Sequence, residues 1–504
     1  MRSEWMKLKS GSDIRGDAME HDGIRPLLTV ETAECVGYAF ALWLARKTNT
    51  TSDKLTIAVG HDSRLTGPAL KDGIIRGLTA ADCDVLDCGL CTTPAMFITT
   101  VEPETNCDGA VMITASHHPW YRNGFKLITR EGGLEGGEIG EILAAAMDVT
   151  LPQRLVKPVD FLSIYTGRLA GMVRERLEDD ALRPLLGLHV VVDAGNGAGG
   201  FYAEFLKELG ADVEGSQYLD PDGHFPNHIP NPEDKDAMAA VCRAVRESGA
   251  DLGVIFDTDC DRAAIVDEQG HEINRNRLIA LISAILLNEK PGQTIVTDSV
   301  TSSGLAKFIA EWGGTHYRFK RGYRNVINEA IRLNEEGIEC PLAIETSGHA
   351  ALRENFFLDD GMYLVTRLIC EAMERKRQGL TLGSLIDDLA EPLESVEVRM
   401  NILDEDFRTA GQSVIETILS KTLDDPTWHL APDNREGVRI SFDLDGGVDN
   451  AWFLLRLSVH DPVMPLNAES DVKGGVQFML NNLYALLEGT EALDLAPLKK
   501  LIEG

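Results

Sequence analysis

One pattern constrains this chain more than any other: a strand–helix–strand unit written three times. Each copy opens on a short apolar strand that runs into an aspartate turn, at Thr56 to Asp62, Val190 to Asp193 and Thr294 to Asp298. A helical stretch follows. A second strand comes next, at Cys83 to Asp87, Ala211 to Glu214 and Thr315 to Phe319, and a third closes the unit at Gly109 to Ile113, Leu252 to Phe256 and Leu342 to Ile344. Strands that alternate with helices predict α/β layers with a largely parallel sheet, and three copies predict three domains built alike. Ligands of open α/β sheets bind beyond the carboxyl ends of strands. The residues after each third strand are polar: Ser116-His117-His118, then Asp257 to Arg262, then Glu345 to His349. Three such loops at equivalent strand ends read as three walls of one central cleft.

Beyond about residue 392 the pattern changes. Val396 to Met400 and Val438 to Phe442 alternate like half-exposed strands, Trp452 to Leu457 reads as a more buried one, and helical stretches lie near 408–422 and 472–487. The 504 residues are too many for one core. The expected fold class is therefore α/β: three similar domains with mixed, largely parallel sheets at 1–153, 154–271 and 272–391, plus a C-terminal α+β domain at 392–504. Ahead of the first unit, Ser10 to Gly16 reads as a glycine-punctuated loop carrying Arg15, followed by a helix over about 30–47.

The formal net charge of -32 argues against nucleic acid or an anionic membrane as partner, because both need a basic face. It also makes a local cluster of cations stand out as an anion site. No apolar run approaches the ~18–20 residues of a membrane span, and the first residues lack an apolar signal core, so a cytoplasmic protein is expected. Nine cysteines, an odd number, suit reduced thiols. Cys88 and Cys91 form one CxxC; without a second pair nearby they read as small buried hydrophobes.

Gly109 to Ile113 delivers Ser116 into a tight polar loop with His117, His118 and Pro119, the setting of an activated oxygen nucleophile. Asp257, Asp259 and Asp261 can point oxygens at one spot only if the backbone curls, and such hard ligands favour Mg²⁺ or Ca²⁺. An EF-hand is excluded by context: Arg262 stands where that loop needs glycine, and strands flank it. An apolar strand running into Asp-x-Asp also presents the nucleophile of aspartyl-phosphate hydrolases, in which case Asp257 attacks phosphorus.

Together these loops resemble the α-D-phosphohexomutase superfamily, the phosphoglucomutase and phosphomannomutase enzymes. Four motifs in the family's order carry the resemblance: Thr114-Ala115-Ser116-His117-His118-Pro119, Asp257 to Arg262, Glu345 to His349, and Arg456-Leu457-Ser458. Pro230-Asn231-Pro232 and Asp359-Asp360-Gly361 also match. The resemblance implies a phosphoserine at Ser116 and one Mg²⁺ per chain, held by Asp257, Asp259, Asp261 and the phosphate on Ser116. It implies Arg15, Lys126 and Arg262 as surrounding cations, with Lys126 moving a proton, His117 orienting the phosphoryl group and His349 assisting. Glu345 and Ser347 would grip sugar hydroxyls. Lys320, Arg321, Arg456 and Ser458 would bind substrate phosphate.

The implied activity interconverts hexose 1-phosphate and hexose 6-phosphate, of mannose or glucose, with a hexose 1,6-bisphosphate as intermediate and activator. A phosphoglucosamine mutase, an aspartyl-nucleophile sugar phosphatase and a non-catalytic sugar-phosphate sensor are the alternatives. The chain departs from the family pattern at Val459 and His460 in the last loop, at His118 where asparagine is common, and at Ile344 where glycine is common. The last-loop changes remove a hydroxyl donor, which puts phosphate affinity in question.

Overall fold

Apolar runs become the middle strands of each sheet, and the site loops spring from their ends. The computed structural model describes residues 2–149, 157–179, 182–404, 406–458 and 461–503. Val459, His460 and the boundary placed at 153/154 lie outside the described residues. The chain divides into two units, one of Met1–Leu278 with Ser347–Leu385 and the other of Ile279–Thr346 with Ile386–Gly504.

In the first unit, β1 (Asp13–Asp17), α1 (Val30–Lys47), β2 (Thr56–His61), α2 (Gly67–Ala80), β3 (Asp84–Leu90), β4 (Gly109–Ile113) and β5 (Arg122–Thr129) follow in order. β2 lies between β3 and β4, parallel to both. β5 turns back antiparallel to β4, and β1 adds antiparallel to β5, so the sheet is mixed. Thr29 caps α1 through a capping box, and Arg46 and Lys47 close its last turn, where the helix dipole favours cations. The register sets Met112 beside Lys126 and Gly124 beside Arg15. Arg15 thus sits on a strand. The expected glycine loop around it is corrected, because pairing with β5 satisfies its backbone.

The second sheet pairs β6 (Val190–Asp193) parallel to β7 (Leu252–Phe256), and β7 antiparallel to β8 (Ala263–Val266). The helix Lys235–Ser248, α3, packs its Met238, Val241 and Val245 into the core beneath. Here the expectation of a strand at Ala211 to Glu214 fails. Only a single bridge, His189 to Asp212, forms there; the Asp212 carboxylate accepts the Glu214 N–H, and Gly215 at φ +86° turns the chain away.

The second unit contains β9 (Thr294–Thr297), parallel to β10 (Thr315–Arg318) and to β11 (Leu342–Ile344), with α4 (Tyr323–Glu335) between the last two in sequence. Its other sheet is antiparallel: β12 (Glu394–Asn401), β13 (Val438–Phe442), β14 (Ala451–Leu455) and β15 (Val463–Ser470), in the order β12-β15-β14-β13. Helices Phe407–Asp424 and Gly475–Leu487 accompany it, and Ile418, Phe453, Leu466 and Leu483 meet in its core. β14 stops at Leu455, two residues before the strand read from sequence. No helix among the described residues is long and apolar enough to cross a membrane. All nine cysteines are buried. Burial pushes the Cys91 thiol up to about 12, which suppresses thiolate chemistry at the CxxC.

Candidate active site

Ser116 sits just past β4 with φ +53°, a left-handed backbone that is costly for a side chain with a Cβ. The Thr114 hydroxyl accepts its N–H at 2.9 Å. Its own Oγ donates to Asp257 Oδ2 at 3.0 Å and accepts from the Arg262 guanidinium at 3.1 Å, with His117 Nδ1 at 3.2 Å. The serine loop of one domain and the aspartate loop of the next therefore meet at one hydroxyl. The Arg262 charge, aided by burial, drives the His117 pKa far down, so the ring is neutral and accepts from Arg262 at 2.6 Å. His118 is also held neutral, its pKa lowered to about 3 chiefly by burial.

The aspartate loop is the short link between β7 and β8. Cys260 takes φ +66°, and this curl turns three alternating carboxylates inward. Asp257, Asp259 and Asp261 are fully buried, and ligand oxygens from all three lie within 4.8 Å of one another. Burial raises the pKa of Asp257 and Asp259. Asp261 is also buried, but Lys126, His349 and Arg262 outweigh that cost and hold it low. Oδ1 of Asp259 and Oδ1 of Asp261 are buried without a hydrogen-bond partner. Gathered, desolvated carboxylate oxygens with open lone pairs fit a hard divalent cation such as Mg²⁺.

Cations ring this cluster. Lys126 Nζ is 2.9 Å from Asp261 and 3.8 Å from Asp13, and Asp13 binds Arg15 at 2.6 Å. Gly124 makes this possible: a Cβ there would stand 2.9 Å from Arg15 Cγ and 2.4 Å from the Ile14 carbonyl. His349 bridges back to Arg262 in an isolated antiparallel pair. Its Nδ1 is 2.7 Å from Asp359 and 3.8 Å from Asp261. Burial alone would lower its pKa, yet the two carboxylates raise it to about 9, so this imidazole is a cation at neutral pH. Ser347, two residues earlier, is buried.

The second unit holds the other predicted residues. Glu345, at the end of β11, accepts the Gly322 N–H at 2.6 Å, which ties it to the Lys320-Arg321-Gly322 turn. Arg321 Nε lies 3.7 Å from the buried Asp298, whose carboxylate also accepts from Thr346 at 2.8 Å. Lys320 is exposed, with its ammonium 6.0 Å from the Phe319 ring centroid. Arg456 is buried just past the end of β14, and the Ser458 N–H donates to the Val463 carbonyl at 2.9 Å.

The sequence reading placed Asp359 in a matching motif without a role, and it missed Arg64. Asp359 orients and charges His349. Arg64, 1% exposed, donates to the carbonyls of Ser116, His118, Pro119 and Arg122, and its Nε lies 3.3 Å from Asp62. One guanidinium thus frames the whole serine loop. The available signal was Asp62-Ser63-Arg64 at the end of β2, a cation placed at the same sheet edge as the nucleophile.

Family models for phosphoglucomutase/phosphomannomutase alpha/beta/alpha domains I, II and III match residues 6–149, 172–270 and 274–393. A phosphoglucomutase of Neisseria gonorrhoeae is 30% identical over 491 residues, covering 95% of this chain and 96% of the relative. A phosphomannomutase of Salmonella typhimurium is 32% identical, covering 94% and 97%. A solved phosphoglucomutase/phosphomannomutase family protein of Burkholderia thailandensis superposes with a TM-score of 0.78 at 25% identity, covering 97% of this chain and 99% of that one. The chain belongs to the phosphoglucomutase/phosphomannomutase family of the α-D-phosphohexomutase superfamily and is an enzyme of the phosphohexomutase class.

Proposed function

We propose that this enzyme interconverts the 1- and 6-phosphates of mannose and glucose through a phosphoserine at Ser116. The observation that carries the reading is the Ser116 hydroxyl, which lies within 3.2 Å of a carboxylate, a guanidinium and a neutral imidazole. In the first half-reaction the 6-hydroxyl oxygen of a hexose 1-phosphate attacks the phosphorus of phosphoserine 116. A sugar O–P bond forms and the Oγ–P bond breaks. Lys126 carries the released proton toward Oγ, with the cationic His349 in support. In the second half Ser116 Oγ, aligned by Asp257, attacks the phosphorus at the 1-position; its proton passes to the departing sugar oxygen, and hexose 6-phosphate leaves. A hexose 1,6-bisphosphate primes the dephosphorylated enzyme by this same second step.

Arg262 and Arg15 offset the charge of the transferring group, and His117 accepts from Arg262 so that its fork faces Ser116. Asp257, Asp259 and Asp261 would hold one Mg²⁺, which when bound neutralises charge on the phosphoryl oxygens. Glu345 and Ser347 read the sugar hydroxyls, while Lys320, Arg321, Arg456 and Ser458 take the second phosphate. Nine buried cysteines, an odd number, fit a reducing, cytoplasmic setting.

The test is a coupled assay with mannose 1-phosphate, glucose 1-phosphate and glucosamine 1-phosphate. Turnover of the first two, abolished in Ser116→Ala, is the expected result. Preference for glucosamine 1-phosphate overturns the substrate assignment, and release of inorganic phosphate with activity retained in Ser116→Ala overturns the mechanism.

A further inference from the structure

The second unit places a carboxylate where an anion is wanted. Glu436 is held just before β13 by Gly437, which takes φ +53° and packs so tightly on the next strand that a Cβ would stand 2.2 Å from the Leu455 carbonyl and 2.8 Å from Arg456 Cα. This close approach brings Glu436 to the end of β14, beside Arg456. Its Oε2 accepts the Arg321 N–H at 3.2 Å and the hydroxyl of the buried Ser299 at 2.5 Å. Arg456 is buried, and its Nε has no hydrogen-bond partner. Burial lowers its pKa, and the attraction of Glu436 is the leading charge effect that opposes this. A backbone N–H, a hydroxyl and two guanidinium groups are the donor set of a phosphate site, and one carboxylate oxygen occupies two of those donors.

We propose that Glu436 is a resident counter-anion of the substrate-phosphate site, and that the incoming phosphate displaces it. This rests on the reading of Arg321 and Arg456 as phosphate ligands. The carboxylate balances the cations while the site is empty, so the site stays folded without a ligand. A dianionic phosphate, with more charge and more acceptor oxygens, takes over the Arg321 N–H and the Ser299 hydroxyl, and Glu436 swings to solvent. A neutral sugar lacks the charge to compete. The latch therefore weakens binding of every phosphate ester and confines entry to ligands that bring their own dianion.

The experiment compares wild type, Glu436→Gln and Glu436→Asp. It measures KM for glucose 1-phosphate, the inhibition constant of inorganic phosphate, and inorganic phosphate binding by calorimetry on each folded protein. Removing the competing charge in Glu436→Gln is expected to lower all three constants about five- to tenfold, with Glu436→Asp returning toward wild type. A rise in the constants of Glu436→Gln overturns the proposal by making Glu436 a ligand of the substrate. Unchanged constants overturn it by showing that nothing competes. If wild type does not turn over glucose 1-phosphate, the mutase assignment fails; calorimetry with inorganic phosphate still decides whether Glu436 competes.

Discussion

Arg64→Met separates loop positioning from simple folding. The methionine fills much of the same volume and donates nothing. Four carbonyls of the serine loop, at Ser116, His118, Pro119 and Arg122, lose a charged donor. Asp62, wholly buried, loses its counter-ion. Removing one partner of a buried ion pair costs about 3–5 kcal/mol, most of it the penalty of the charge left behind. The loop also loses what holds Ser116 at φ +53°, a conformation that costs ~1–2 kcal/mol for an L-residue. A reacting atom misplaced by ~1 Å costs about 100-fold in rate. The single variant should therefore melt well below wild type and lose about two orders of magnitude in kcat. Asp62→Asn combined with Arg64→Met removes the orphaned charge and should recover most of the thermal stability, with kcat still depressed. Thermal denaturation and the coupled turnover assay measure the two effects. Recovery of kcat in the double variant would refute the positioning role, because the guanidinium would then have served only Asp62.

Gly124→Ala puts a Cβ within 2.4 Å of the Ile14 carbonyl and 2.9 Å of Arg15 Cγ, so β1 must shift and carry Arg15 away from Asp13. A kcat loss of at least about tenfold is expected, and a wild-type rate would count against Arg15 as an active-site cation. Mg²⁺ should raise the melting temperature of wild type by mass action. Asp259→Asn should melt higher than wild type in chelator, through relief of like-charge repulsion, yet gain nothing from Mg²⁺; an undiminished Mg²⁺ shift would exclude Asp259 as a ligand. Glu469 gives a pH signature: burial pushes its carboxyl up to about 7, which Arg439 only partly offsets. A raised folded-state pKa means stability fully present below the ordinary ~4.3 and lost as pH rises through about 7. Denaturant titrations should show wild type losing on the order of 2 kcal/mol more than Glu469→Gln between pH 5 and 8, and parallel curves would contradict this.

The strands that bear the site were legible because each is a continuous apolar run: Gly109–Ile113, Leu252–Phe256 and Leu342–Ile344 are wholly buried. Their polar sequels were legible for the same reason, since chemistry collects where such a run ends. Elements that depend on a partner strand were harder to read. Asp13–Asp17 follows Gly11, contains Gly16, and becomes a strand only by pairing with Arg122–Thr129. Val463–Ser470 is hidden by Pro465 and Asn467, although Met464, Leu466 and Ala468 keep a period of two on its core face. Ala211 to Glu214 looks like a strand locally and is undone by the Asp212 carboxylate and Gly215. Arg64, Asp359 and Glu436 make their contacts at 52, 10 and 137 residues from Ser116, His349 and Ser299, so a local pattern can mark a position, as Asp359-Asp360-Gly361 does, without naming its partner.

The proposed cycle turns on Ser116 as the carrier of the phosphoryl group. Mass spectrometry of the protein after incubation with glucose 1,6-bisphosphate and Mg²⁺, with the modified peptide mapped, tests it most directly. One acid-stable phosphate on Ser116 is expected, and when it carries a label, the label should pass into the hexose phosphates on addition of hexose 1-phosphate. A labile adduct on Asp257, or an unmodified protein that still turns over substrate, would contradict it.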